Sequence, residues 1–189
     1  DFDNDGYLAL YAYYNGNLVR NLGGTGWANA SANLQGYSPE ASRGAAWADM
    51  NGDGLLDLYV GNYETRPSAY YTDDLLMQSS NGNNLFNVTW TQPIDAVITG
   101  GRPRPARGVM AADFDHDGDM DIYTSNYRLE TNGLYINDGN GNISDQAPGR
   151  GATGGYGHTI GSAYGDTDND GDLDILVGSF SHNWGGQSP

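Results

Sequence analysis

The 189 residues allow one sizeable core and little more, and no apolar run approaches the roughly 20 residues that span a bilayer. Eight Lys plus Arg stand against 24 Asp plus Glu, a formal charge of -16 that repels phosphate backbones and anionic lipid and excludes nucleic acid as an expected partner. Zero cysteine rules out disulfides and thiolate metal sites, while an acid set that is almost all Asp, with 29 Gly and 14 Tyr, suits short strands joined by tight turns.

The chain opens inside a motif, Asp1-Phe2-Asp3-Asn4-Asp5-Gly6, followed by an apolar stretch over 8–14 and a hairpin pattern over 18–27 around Gly23-Gly24-Thr25-Gly26. Small residues Gly44-Ala45-Ala46 then precede Asp49-Met50-Asn51-Gly52-Asp53-Gly54, an apolar stretch over 56–63 and a second hairpin pattern over 75–88. The order repeats with 108–112, Asp113-Phe114-Asp115-His116-Asp117-Gly118, apolar 120–127 and a hairpin over 134–143. It begins a fourth time with Gly161-Ser162-Ala163, Asp166-Thr167-Asp168-Asn169-Asp170-Gly171 and apolar 173–180. Loop starts at residues 1, 49, 113 and 166 give a period that suits a four-stranded propeller blade. Continuous apolar runs such as Leu58-Tyr59-Val60 predict strands covered on both faces, and the small residues predict the crowded inner strand. The expected architecture is all-β: β-propeller-type blades of four antiparallel strands, two complete and two partial, in one repeat region over 1–189. A chain that starts in mid-motif, without initiator Met or signal peptide, is expected to be part of something longer or to be completed by neighbouring copies.

Carboxylates at positions 1, 3, 5 and 9 of such a loop converge because glycine at position 6 lets the backbone turn sharply. Hard oxygen donors select calcium over zinc, which takes His or Cys, and over magnesium, which demands strict octahedral geometry. The second loop offers Asp49, Asn51, Asp53 and Asp57; the third Asp113, Asp115, Asp117 and Asp121; the fourth Asp166, Asp168, Asp170 and Asp174. Position 7 adds a backbone carbonyl from Leu55, Asp119 and Asp172, and from Tyr7 in the first loop. That first loop, with Asp1, Asp3 and Asp5 but Ala9 at the ninth position, is expected to bind more weakly than the other three. An EF-hand would need Glu at position 12, where Ala12, Val60, Thr124 and Val177 stand.

The pattern small-small-x-Ala-Asp-x-Asp/Asn-x-Asp-Gly-x-x-Asp, followed by Leu134-Tyr135-x-Asn137-x-Gly139-x-Gly141, resembles the FG-GAP/VCBS-type calcium-binding repeat of integrin α-like β-propellers. The resemblance implies a loop joining the two inner strands of a blade, a structural calcium, an extracellular or cell-surface location, and ligands taken by loops on the opposite face. Two complete and two partial units do not close a seven-bladed ring.

Among other groups, His116, His158 and His182 form no triad pattern, and no catalysis is expected. Loops outside the metal turns carry Arg66, Tyr70, Tyr71, Arg102, Arg104, Arg107 and Trp184, cations and aromatics suited to acidic sugars or an acidic neighbouring subunit. The sequons at Asn29, Asn87 and Asn142 are glycosylation acceptors only in a chain made by a secreting eukaryote. The expected role is structural or adhesive. A filament subunit completed by strand addition, or a propeller that binds or degrades polysaccharide, is the alternative.

Overall fold

The second, third and fourth Asp-rich loops each join a small-residue strand to an apolar strand, and this inner hairpin is the unit that the structure repeats. The structure is a computed structural model describing residues 1–13, 16–35, 42–65, 70–71, 74–79, 85–88, 104–139 and 142–180. The first sheet has three strands, β1 (Leu10–Ala12), β2 (Asn17–Asn21) and β3 (Trp27–Asn29), in that order. Next come β4 (Leu34–Gln35), β5 (Ser42–Ala48), β6 (Asp57–Asn62), a small hairpin β7 (Glu64–Thr65) and β8 (Tyr70–Tyr71), then β9 (Leu75–Ser79) and β10 (Leu85–Val88). The third unit is β11 (Ala106–Ala112), β12 (Asp121–Asn126), β13 (Gly133–Asn137) and β14 (Ile143–Asp145), followed by a one-turn helix α1 (Ala147–Arg150). β15 (Thr159–Gly165) and β16 (Asp174–Ser179) form the fourth.

The third sheet is the expected four-stranded antiparallel blade, in order β11-β12-β13-β14. The second contains the same set, β5-β6-β9-β10, but adds β4, which crosses from the first unit and pairs parallel with β10. That addition departs from the four-strand expectation. It covers a sheet edge that would otherwise present unpaired backbone groups. The described residues form no closed ring.

The sheets stack face to face, and the repeat register dictates what each side chain meets. Counting from the first Asp of a loop, positions 10 and 12 point to the preceding unit: Leu58 and Val60 pack with Phe2 and Leu18. Position 11 points forward: Tyr59 joins Ile122 and Tyr135, and Tyr123 joins Ile175 and Val177. The loop itself contributes, since Phe2 stacks on Trp47 at 6.2 Å and Phe114 meets Tyr164 edge-on at 5.8 Å. β6 and β12 are therefore buried along their whole length, as their continuous apolar runs predict. Each such Leu, Ile or Tyr removed from water contributes about 1.5–3 kcal/mol. The same register leaves two faces uncovered: position 10 of the first unit, Leu10, is 57% exposed, and position 11 of the last, Leu176, is 73% exposed.

Close approach of neighbouring inner hairpins depends on absent side chains. A Cβ at Gly61 would lie 2.7 Å from Val109 Cγ2 and 2.9 Å from the Ala106 Cβ of the next unit. Gly61→Ala should therefore cost about 1–3 kcal/mol in urea unfolding. Gly149→Ala, with no atom within 4 Å of the added carbon, should change it by less than about 0.5 kcal/mol.

Candidate metal centre

All four loops share one hydrogen-bond scheme, which the local sequence explains residue by residue. The position-1 carboxylate accepts the N–H of Gly6, Gly54, Gly118 and Gly171 at 2.8, 2.8, 3.1 and 3.1 Å. The position-5 carboxylate accepts the N–H of Tyr7, Leu55, Asp119 and Asp172 at 2.9–3.0 Å. The position-6 glycines have φ of 84–98°, a region that a side chain disfavours. Position 4 is left-handed too, at Asn4, Gly52, His116 and Asn169 (φ 55–69°). His116 therefore sits on a constrained backbone rather than at a position of free choice, and its Nε2 lies 3.5 Å from Asp172 of the neighbouring loop.

This wrapping brings one carboxylate oxygen from each of Asp1, Asp3 and Asp5 within 4.8 Å of one another, and does the same for Asp113, Asp115 and Asp117 and for Asp166, Asp168 and Asp170. In the second loop Asn51 replaces an acid; its Oδ1 accepts the Asp53 N–H at 3.1 Å and its amide meets the Asp53 carboxylate at 3.2 Å. Three oxygens in these loops, Asp3 Oδ1, Asp113 Oδ1 and Asp115 Oδ1, are buried with no hydrogen-bond donor. An orphaned buried anionic oxygen is costly unless a cation meets it, so the donor set fits a hard, oxygen-seeking ion.

The ninth-position carboxylates occupy a different place. Asp57 and Asp121 are fully buried. Asp57 accepts the N–H of Met50 at 2.9 Å and of Ser79 at 2.8 Å; Asp121 accepts those of Phe114 at 2.8 Å and Asn137 at 2.9 Å. They tie the second residue of the loop to the third strand of the sheet. Burial pushes both pKa values up to about 6, against the lowering effect of these hydrogen bonds, with nearby loop carboxylates adding to the rise. Asp174, in the exposed last unit, accepts the Thr167 hydroxyl and, at 3.0 Å, its N–H, and these bonds hold its pKa below the usual value.

Two arginines that the motif does not contain reach these loops. Arg20 on β2 forms an ion pair with Asp3 and lies 3.8 Å from Asp5, while Arg150 at the end of α1 meets Asp115 at 3.2 Å. Each comes from the outer part of its own unit, at a sequence distance that no local pattern reveals. Asp119, expected to serve through its carbonyl, also brings a carboxylate against the hairpin turn at Gly139, where a Cβ would lie 2.1 Å from its Oδ2. Its pKa is raised by desolvation first and then by Asp117, Asp113, Asp138 and Asp115.

The other candidate residues scatter. Arg104, expected on an exposed loop, is buried. Its guanidinium bonds Asp145 at 2.9 Å and the Tyr135 hydroxyl at 2.8 Å, which corrects its assignment to a ligand surface. Arg107 lies on β11 over the rings of Tyr63 and Tyr127, at 4.7 and 4.5 Å from their centroids, and the two rings meet edge-on at 6.0 Å. Tyr70 and Tyr71 form β8, paired with β7. Arg66, Arg102, Trp184 and His182 lie outside the described residues. Asn29 is on exposed β3 with its Oδ1 accepting the Ser31 N–H; Asn87 is on β10; the Asn142 side chain donates to Asp138 at 2.8 Å.

The raised pKa values set the sign of a pH effect in metal-free protein. Between the unfolded value of about 3.8 and the folded value of about 6, the native state holds more protons at Asp57 and Asp121 than the unfolded chain does. Stability in chelator should therefore fall as pH rises from 4 to 7, as read by urea midpoints, and saturating calcium should flatten that slope.

Comparison with known proteins agrees with this geometry. The family model described as FG-GAP-like repeat matches residues 1–60 and 125–177. Cartilage acidic protein 1 of Xenopus tropicalis is 31% identical over 149 residues, covering 71% of this chain and 20% of that protein. The proteins of the same name from Mus musculus and Homo sapiens are 29% and 30% identical over 110 residues, 58% of this chain and 15% of each. The chain thus spans a fifth or less of the length of the curated relatives it matches.

Proposed function

Since the chain belongs to the FG-GAP-like repeat family, we propose that it is an extracellular, calcium-stabilised scaffold with a structural or adhesive role and no catalytic one. The observation that carries this reading is the set of buried, donor-less oxygens on Asp3, Asp113 and Asp115 inside convergent carboxylate groups. In the second, third and fourth loops the ion would be held by positions 1, 3 and 5 with the position-7 carbonyl, while position 9, which in the second and third loops takes backbone N–H groups, would hold the turn closed around it. A bound divalent cation supplies charge neutralisation to a hairpin turn that otherwise concentrates like charge. The extracellular location is supported by the family and by relatives that are named for cartilage.

The two uncovered apolar faces favour a second reading, in which copies of the chain, or further repeats, stack on Leu8 and Leu10 at one end and on Leu176 at the other. Such a contact is head-to-tail, so it extends rather than closing on itself unless the rotation completes a ring.

Calcium at millimolar concentration should raise the melting temperature by many degrees over excess chelator, and calorimetry should count three tight ions per chain. Ala9→Asp should strengthen binding at the first loop. Equal melting temperatures in calcium and chelator would remove the structural role, whereas concentration-dependent sedimentation of calcium-loaded protein would support end-to-end stacking.

A further inference from the structure

The end of each inner hairpin far from the metal loop carries a feature that calcium binding does not use. The β11–β12 register shifts between Ala106 and Gly108, so Arg107 is the extra residue of a β-bulge, a device that turns a side chain out of the ladder. The same shift recurs between Ser42 and Gly44 and between Thr159 and Gly161, which places Arg43, Arg107 and Ile160 at equivalent points of three successive units. Fifteen residues into each repeat stands an aromatic, Tyr63, Tyr127 and Phe180. Arg107 lies over the Tyr63 ring of the preceding unit and the Tyr127 ring of its own, and Arg43 is 5.8 Å from Tyr63. The ring of His158, from the following unit, is 4.4 Å from that of Tyr127.

Neighbouring cations are committed elsewhere: Arg128 to Glu64 at 2.7 Å, and Arg104 to Asp145. Arg107 is not. Its Nε is buried without an acceptor, and no carboxylate among the described residues pairs with it, in a chain of net charge -16. A guanidinium set over a pair of rings that meet edge-on carries its N–H groups in its own plane, where they match the two oxygens of a carboxylate. Tyr63 is buried beneath the guanidinium, while the half-buried Tyr127 and His158 stay partly open to a sugar ring, and the overall negative charge opposes a polyanion.

We infer that Arg107, framed by Tyr63, Tyr127 and His158, is a binding site for the carboxylate of a sugar acid, at the opposite end of the blade from the metal loops. The site lies six residues of strand from the loop, roughly 20 Å away at 3.3 Å per residue, so the two ends are separable by mutation.

The test uses calcium-saturated protein titrated with a glucuronate-containing disaccharide and with its neutral glucose counterpart, read by calorimetry and by the arginine Nε–H resonances. The acidic sugar should bind at least about tenfold more tightly than the neutral one, the scale of one charge-assisted pair. Arg107→Gln should abolish that preference with calcium stoichiometry unchanged, and Arg107→Lys, a point charge without the fork, should retain part of it. Equal affinity for both sugars, an Arg107→Gln protein that binds like the parent, or binding of a Glu-rich hexapeptide in place of the sugar would overturn the assignment. Should Arg107→Gln fail to fold, the parent's Arg107 Nε–H signal, assigned through Arg107→Lys, decides: it shifts with the acidic sugar, or the site is not there. Loss of calcium binding with sugar binding intact would separate failure of the scaffold reading from failure of this one.

Discussion

Each complete unit turns on one buried carboxylate, that of Asp57 in the second and Asp121 in the third. Removing a carboxylate from water is costly, and here two backbone N–H groups compensate: one from the second residue of the loop, one from the third strand of the sheet. Because the same group grips both, the loop cannot change shape without loosening the sheet. Its second residue, Met50 or Phe114, is then directed into the interface with the following unit. Asn137 extends the linkage, its amide donating to the carbonyl of Met50 at 2.8 Å in the preceding unit's loop. Loop geometry and blade stacking are thus one constraint, and an ion that stabilises the loop would stabilise the stack.

The loops are alike in backbone and unlike in charge. The first lacks a ninth-position acid and receives Arg20; the third has carboxylates to spare, with Asp119 and Asp138 close by, and receives Arg150. An arginine against the third-position Asp offsets part of the repulsion that would otherwise open the turn. Asp3 nevertheless keeps one buried oxygen without a donor, so the guanidinium does not satisfy the site alone. Position 4 adds a quieter requirement, since its left-handed backbone is readily adopted by Gly and Asn and here also by His116.

Periodicity made most of this legible. The spacing of the Asp-rich loops located every inner hairpin, the apolar runs marked β6 and β12 as covered on both faces, and Asn/Asp/Gly turns marked the β9–β10 and β13–β14 hairpins. What escaped was non-local. The parallel pairing of β4 with β10 depends on where the chain goes after the first unit, and no pattern in Leu34-Gln35 encodes it. Arg104 and Arg107 share one expected ligand loop because sequence shows adjacency and not direction. In the fold Arg104 turns inward to Asp145, and the bulge at Arg107 turns that residue toward two tyrosines. Arg20 and Arg150 gave no signal at all, since each meets its loop only after the outer strands have folded back.

The placement of arginine in so acidic a chain ties these observations together. Of those described, Arg20, Arg104, Arg128 and Arg150 each face a carboxylate of the chain itself: Asp3, Asp145, Glu64 and Asp115. These pairs are partly or wholly withdrawn from solvent, where screening is weak and leaving either partner alone would be expensive. Arg107 instead pairs with no carboxylate of the described residues and, like Arg43 at the equivalent bulge position, lies against tyrosine at the end of the blade remote from the loops. One end of the stack therefore concentrates negative charge that calls for a cation, while the other holds positive charge lodged among rings. A stack of buried inner hairpins is rigid enough to keep the two apart, because a shift of β12 by one residue would move Tyr123 and Ile122 to the wrong interfaces. That rigidity would let one repeat carry the proposed metal turn and the proposed recognition surface without either distorting the other.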